Sequence, residues 1–256
     1  MINQDALAKL RAFHMSGFIQ ALVEQSGITQ YHSLSFEDRL SLLIEAEHLH
    51  RADRALKRRL KDANLLSYPT LDQLDFSAHR GVSRLEFLEL CQGNWLANSH
   101  NLIITGATGA GKTFLASVLI TTLCSKGKTA RYFRLYDLIN ELLLSKHENS
   151  FKKFKNTINN VNLLIFDDWL LDQLSADHAR DIIDIIDKRF RTSSCIFITQ
   201  LPVNEWYKKI ADPTLADAIL DRIVHDSLRI ELLGESMRKI TTSLKKEINV
   251  ASLRQP

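Results

Sequence analysis

The stretch NLIITGATGAGKT, Asn101 to Thr113, constrains the fold of this chain more than any other. A short apolar run ends in a glycine-rich turn, and an apolar helix pattern, KTFLASVLITTL, follows at once. GATGAGKT fits the spacing GxxxxGK[ST], and a strand before it and a helix after it are the context that this spacing requires. Three of the chain's nine glycines, Gly106, Gly109 and Gly111, fall in this turn. There they let backbone N–H groups face phosphate oxygens at a helix N-terminus. The residues expected to hold a nucleotide are Gly106, Ala107, Thr108, Gly109, Ala110, Gly111, Lys112, Thr113 and Phe114. Lys112 is placed to reach the β- and γ-phosphates of ATP, and Thr113 to offer its hydroxyl to Mg²⁺. The competing reading is an ordinary glycine-rich turn between a strand and a helix.

A second stretch, LLIFDDW, runs an apolar strand straight into two carboxylates. Ending a buried strand in negative charge is costly unless a cation waits there. A strand that ends in acid about fifty residues after the P-loop lysine reads as the second half of a nucleotide site. Asp167 is expected to approach Mg²⁺ through water. Side chains alternate along a strand, so Asp168 need not share that role. It is expected to orient and activate the attacking water. The other reading of Asp168 is a cap for the following turn.

The pattern around these motifs is one of short apolar strands alternating with helices: NLIITG, TARYFRL, VNLLIFDD and SCIFITQ are strands, with helical stretches between them. Such alternation predicts an α/β fold, a parallel sheet sandwiched by helices, with ligands beyond the carboxyl ends of the strands. Residues before Pro69 read differently. They are helical throughout, with Leu7, Leu10, Phe13, Phe18 and Leu22 at helical spacing and Gly17 as a break. A long helix follows, opened by Ser35 and Asp38, with Leu42, Leu49, Leu56 and Leu60 along one stripe. The domain expectation is therefore 1–68, a small all-α N-terminal domain for DNA or partner binding, and 69–256, an ATPase domain.

Composition narrows the class. With 256 residues, 45% of them apolar, and a net charge of +3, the chain can build a proper core and is only mildly basic. Cys91, Cys124 and Cys195 are far apart, which reads as reduced and intracellular. The N-terminus lacks the apolar core of a signal peptide, and no apolar run approaches the ~18 residues of a membrane span. The expectation is a cytoplasmic protein without a membrane partner.

Five stretches, SFEDRLSLLIEAE, GATGAGKT, LLIFDDW, QLPVNEW and DPTLADAILDRIVHDSLRIELLGESMRK, carry a resemblance to a known family. The chain resembles the IstB-like helper ATPases of bacterial insertion sequences, in the AAA+ clade that also holds the DnaC helicase loaders. The resemblance implies a P-loop NTPase of AAA+ type that uses ATP and Mg²⁺. It also implies a bacterial protein that oligomerises on duplex DNA, largely without sequence preference, and assists a cognate transposase. It places Gln200 as the polar sensor of the γ-phosphate or lytic water, Arg222 as an arginine finger aimed at a neighbour's nucleotide, and Arg238 as a second sensor within its own subunit. For Arg222 the residues alone favour a surface ion pair with Asp217, Asp221 or Asp226. Two departures stand out: Leu170 follows DDW where the family has glycine, and Ile198-Thr199-Gln200 replaces TSQ before Leu201-Pro202. The alternative function is a DnaC-like loader of a replicative helicase. A scaffold whose ATP is structural, and a P-loop small-molecule kinase, are further rivals.

For DNA, the helix face carrying Arg51, Arg54, Lys57, Arg58 and Lys61 is one candidate, since a basic face neutralises phosphates without reading sequence. A solvated helix face is the equal alternative. The second candidate is Lys152, Lys153 and Lys155, with Phe151 and Phe154 packed inward rather than stacked on bases. The acidic stripe Asp177, Asp181, Asp184 and Asp187 reads as a solvated face, or as one that meets a neighbour's basic side.

Overall fold

A computed structural model of the chain describes residues 3–76 and 81–234. The chain divides into two compact units, residues 1–58 and 59–256.

The first unit is helical. Helix α1 spans Gln4–Ala12, α2 Ser16–Gly27, and α3 Phe36–Ala63, whose last turn lies beyond the division. The chain breaks at His14, with φ of 57°, and not at Gly17. Gly17 lies inside α2 because α3 passes close by: a Cβ there would meet the Ala46 carbonyl oxygen at 2.7 Å and His50 Cβ at 2.5 Å. Ser35 Oγ accepts from the Asp38 amide and donates to the Asp38 carboxylate, the expected start of α3. The leucine stripe is not the buried one: Leu42 and Leu49 are 46% and 58% exposed, whereas Leu43 and Glu47 are buried. Glu47 accepts from the Phe18 amide (3.0 Å) and from Arg51 Nε (2.6 Å). Burial opposes its charge, but the arginine and the amides at the start of α2 outweigh it and hold the carboxyl below its usual range.

The second unit is a five-stranded, all-parallel sheet in the order β2-β3-β4-β1-β5. The strands are β1 Asn101–Gly106, β2 Ala130–Arg134, β3 Leu163–Asp167, β4 Ser194–Ile198 and β5 Ser227–Leu232. β3 and β4 are buried at every position, as their unbroken apolar runs dictate. β5 was not among the strands expected from sequence. It is an edge strand whose core-facing residues are Ile230 and Leu232, too few for a strong apolar signal. It approaches β1 so closely that a Cβ on Gly106 would lie 2.5 Å from the Leu232 carbonyl oxygen.

Short helices α4 (Arg84–Gln92) and α5 (Asn94–Ala97) precede β1. Between the strands run α6 Lys112–Ser125, α7 Leu135–His147, α8 Phe151–Asn159, α9 Ala176–Arg189 and α10 Pro213–Val224. The parallel sheet covered by helices is thus the architecture that the alternating pattern predicts. Arg59 belongs with this unit, its Nε donating to the Cys124 carbonyl at 2.8 Å.

The acidic stripe on α9 is in part solvated, Asp177 being exposed, and in part paired with neighbouring helices. Asp181 pairs with Lys146 at 2.6 Å, Asp184 with Lys155, and Asp187 with Arg222. α9 is thereby tied to α7, α8 and α10. Arg189, 1% exposed, donates to the carbonyls of Ile158, Asn159, Val161 and Ser194 and so braces α8 against the starts of β3 and β4.

After β3 the chain makes a turn pinned by Trp169, whose ring lies 4.8 Å from Phe197 and 5.9 Å from Trp206. Leu170 follows with φ of 53° and is fully buried. The left-handed backbone explains why glycine suits this position, at a cost of roughly 1–2 kcal/mol for any other residue. Burying a leucine contributes roughly 1.5–3 kcal/mol, enough to offset it. Leu170→Gly should therefore lower stability by about 1–3 kcal/mol, since the cavity outweighs the relieved strain. The urea midpoint measures it, and a variant at least as stable as the parent would show that strain dominates.

Candidate functional site

The strand order brings the carboxyl ends of β1, β4, β3 and β2 side by side. β1 delivers the glycine-rich loop, β4 delivers Gln200 just beyond its end, β3 delivers Asp167 and Asp168, and β2 delivers Arg134. The loop, Gln200 and the two aspartates open on one cleft of about 760 Å³, and Arg134 approaches it through Asp168. One side of it is the loop from Thr108 to Phe114, with Phe114 at its half-exposed rim. The remaining lining sets Leu66, Leu74, Phe76, Val82 and Leu232 among Ser67, Gln73 and Asp75. A phosphate loop joined to a largely apolar wall with a few polar groups suits a nucleotide.

Within the loop, Gly109 and Gly111 sit at φ of 82° and 93° and lead into α6. Lys112 is the first residue of that helix and is largely buried. Its Nζ donates to the carbonyls of Gly106 (2.7 Å) and Ala107 (2.9 Å). Burial pushes its pKa down, opposed by the charges of Asp167 and Asp168. Phosphate oxygens are stronger acceptors than carbonyls for this cation.

Asp167, 4% exposed, is the most tightly held group in the cleft. Its Oδ2 accepts from Thr113 Oγ1 at 2.8 Å and from the Tyr132 hydroxyl at 2.7 Å. Its Oδ1 accepts from the Asp168 amide at 2.8 Å. A hydroxyl and a carboxylate in contact beside a lysine form a donor set for a hard, oxygen-seeking cation that keeps waters and phosphate oxygens as its other ligands. Among the described residues no cluster of three or more histidines, cysteines or carboxylates would hold a metal on protein ligands alone. Thr113 and Asp167 thus fit Mg²⁺ carried with ATP.

Asp168 takes φ of 51°, a left-handed conformation that aspartate tolerates better than most residues. This turns it out of the strand, where its Oδ2 lies 3.7 Å from Arg134 Nε. Burial, then repulsion from Asp167, raises its pKa above the usual aspartate value, while Arg134 and Lys112 oppose the rise. Gln200 Oε1 accepts from Thr108 Oγ1 at 2.6 Å, so that the end of β4 touches the phosphate loop.

Other expected residues lie elsewhere. Arg222, on α10, has its carbonyl beside Asn101 at the start of β1, the end opposite the glycine-rich loop. The length of β1, on the order of 16 Å, separates the two. Its ion-pair partner is Asp187, not Asp217, Asp221 or Asp226, because α10 packs its arginine across α9. Arg238 lies outside the described residues. On α3, Arg51 and Lys57 are engaged with Glu47 and Asp53, whereas Arg54, Arg58 and Lys61 are exposed and form no ion pair among the described residues. Lys152 and Lys153 are exposed. Lys155 is drawn to Asp184 and over the Phe151 ring, and is largely withdrawn from solvent. Phe151 and Phe154 pack inward, Phe154 edge-on to Phe133.

Sequence reasoning missed Tyr132, Arg134 and the partner role of Thr108. The signal was there for the first two: residues two apart at the carboxyl end of a strand share a face, and that end faces the cleft.

Residues 8–245 match the family described as IstB-like ATP binding protein. Relatives include an insertion-sequence ATP-binding protein of Sinorhizobium fredii, 36% identical, the match covering 93% of this chain and 98% of that one. The ATP-binding protein of insertion sequence IS1162 of Pseudomonas fluorescens is 35% identical, over 79% of this chain and 88% of that one. Among solved structures, DnaI matches with a TM-score of 0.55 at 19% identity, over 69% of this chain and 92% of that chain. The replication initiator DnaA bound to AMPPCP and single-stranded DNA matches with a TM-score of 0.51 at 20% identity, over 70% and 55%. With the family match, these likenesses of fold show a P-loop AAA+ domain.

Lys112→Ala should weaken ATP binding about 10- to 100-fold, the worth of a charged hydrogen bond. Titration of the full chain with a fluorescent ATP analogue reads this, and wild-type affinity would remove Lys112 from the phosphate site.

Proposed function

The chain belongs to the IstB-like family of ATP-binding proteins, and on that premise we propose that it hydrolyses ATP, oligomerises on duplex DNA and assists the transposase of a bacterial insertion sequence from the cytoplasm. The observation that carries this reading is the meeting of Lys112, Thr113, Asp167, Asp168 and Gln200 at the carboxyl end of the sheet while Arg222 sits at its amino end.

In this reading Lys112 exchanges the carbonyls of Gly106 and Ala107 for the β- and γ-phosphates, and the loop amides from Ala107 to Thr113 cradle them. Thr113 and Asp167 would hold Mg²⁺, which when bound would supply positive charge to the phosphates. Asp168, directed away from Asp167, holds the attacking water and takes its proton. Its raised pKa keeps it a better base than an ordinary aspartate. Gln200 reports the γ-phosphate to the loop through Thr108. Arg222 is too far from its own loop to serve it, which supports a role at a neighbour's nucleotide, where an arginine stabilises the charge that builds on the phosphoryl oxygens. Arg238 is assigned the second sensor. Hydrolysis is then slow in the free subunit and stimulated by assembly.

Residues 1–68 are assigned to DNA and partner binding, with Arg54, Arg58 and Lys61 as the freest cations and Arg51 and Lys57 beside them. Lys152 and Lys153 form the second candidate patch. The loader of a replicative helicase is the second reading, supported by the likeness to DnaI. The insertion-sequence names of relatives above 30% identity favour the first.

Two outcomes test this. Arg222→Ala should bind ATP as the parent does but lose DNA-stimulated turnover by 10³-fold or more, the worth of an arginine finger being about 10³–10⁵; parental turnover would leave Arg222 a structural partner of Asp187. Arg54→Glu with Arg58→Glu should weaken duplex binding and reduce the slope of log affinity against log salt by about two. An unchanged slope moves the DNA elsewhere, and a preference for single strands with capture of a helicase would favour the loader.

A further inference from the structure

Tyr132 lies on β2, the outer strand beside β3, and its hydroxyl is buried. A buried hydroxyl is unfavourable unless it is bonded. In register with it on the same face of the sheet are apolar residues, Ile165 on β3 and, beyond it, Ile196 on β4. A tyrosine here is therefore explained by what its oxygen does. It donates to Asp167 Oδ2 at 2.7 Å, and the Arg134 guanidinium stands near the tyrosine on the same face of β2. The two donors to Oδ2 come from opposite sides, Thr113 from α6 and Tyr132 from β2. With the Asp168 amide on Oδ1, three donors fix the plane of the carboxylate. Without Tyr132, Oδ2 keeps only Thr113 among these donors, and the Thr113 oxygen itself faces the cation.

We propose that Tyr132 is a positioning residue that holds Asp167 in the orientation in which it and Thr113 take the divalent cation accompanying ATP. This rests on the reading of Asp167 as the cation contact. Mg²⁺ tolerates little deviation from its preferred geometry, so loss of an outer partner of its carboxylate should be felt as metal affinity, by about 10–100-fold. Tyr132 does not itself line the cleft.

The experiment measures binding of a fluorescent ATP analogue by the full chain across a Mg²⁺ titration and in EDTA. For the parent, affinity should rise with Mg²⁺. Asp167→Asn should abolish that rise. Tyr132→Phe should retain the parental affinity in EDTA but need about 10- to 100-fold more Mg²⁺ at the midpoint. If Asp167→Asn removes the Mg²⁺ effect and Tyr132→Phe has the parental midpoint, the proposal falls and the role of Asp167 stands. If Asp167→Asn keeps the effect, the reading beneath the proposal falls and takes the proposal with it. An equal loss for Tyr132→Phe in EDTA and in Mg²⁺ would mark a general packing role and overturn it too. Should Tyr132→Phe fail to fold, 3-fluorotyrosine at position 132 keeps the ring and changes the donor strength of the hydroxyl. A displaced Mg²⁺ midpoint then supports the proposal, and an unmoved one overturns it.

Discussion

Removing a carboxylate from water costs several kcal/mol unless donors replace the lost hydration, and Asp167 is placed at the end of a strand buried on both faces. The donors come from three separate elements: the first turn of α6, the middle of β2 and the next amide along the chain. Each of these is fixed by the sheet. The helix that begins at the glycine-rich loop must therefore lie at one distance from β3, and β2 must keep its register, for the charge to be tolerated. The same interaction that makes the burial of Asp167 possible aligns the loop, the acid and the outer strand around one cleft.

The turn after Asp167 shows how the two adjacent acids acquire different tasks. Asp168 leaves the strand through a left-handed residue, and Leu170 repeats that conformation two positions later. Between them Trp169 is locked into the aromatic cluster, its amide bonded to the Ile198 carbonyl at 2.9 Å and its carbonyl accepting from Thr199 Oγ1 at 2.8 Å. The family's glycine would enter this turn without strain; the leucine does so by burying its side chain. With Leu170 in this turn, Asp168 lines the cleft. Thr199, part of the second departure, supports the turn from β4.

Charge is used locally before it is offered to partners. The aspartates of α9 meet lysines of α7 and α8 and the arginine of α10, each pair worth about 0–1 kcal/mol at a surface but together fixing how these helices meet. Lys155 is occupied in this way, whereas Lys152 and Lys153 project outward. Arg222 is held by Asp187, so any service to a neighbouring subunit starts from that pair. On α3 the intrahelical pairs engage Arg51 and Lys57 and leave Arg54 and Arg58 exposed.

How much of this was legible in the sequence follows from the range of the forces involved. The glycine-rich loop, the acid-tipped strand and the alternation of strands with helices are set by local chemistry: glycine's freedom, apolar runs and the need of a buried charge for a partner. They determined a parallel α/β nucleotide-binding domain behind a helical segment. β5 was missed because an edge strand has a weak apolar signal. The break in the first helices was misplaced because Gly17 answers to the close passage of α3, not to its own preference. Side-by-side placement of β2, β3, β4 and β1 depends on contacts distant in sequence, and it alone decided that Tyr132 and Arg134 join the site and that Thr108 reaches Gln200. It also set Arg222 against Asp187 rather than a nearer aspartate. The sequence by itself determined the glycine-rich loop and the acid-tipped strand that line the cleft; the tertiary structure decided which residues hold them in place, because such partners lie across strands whose order no local pattern encodes.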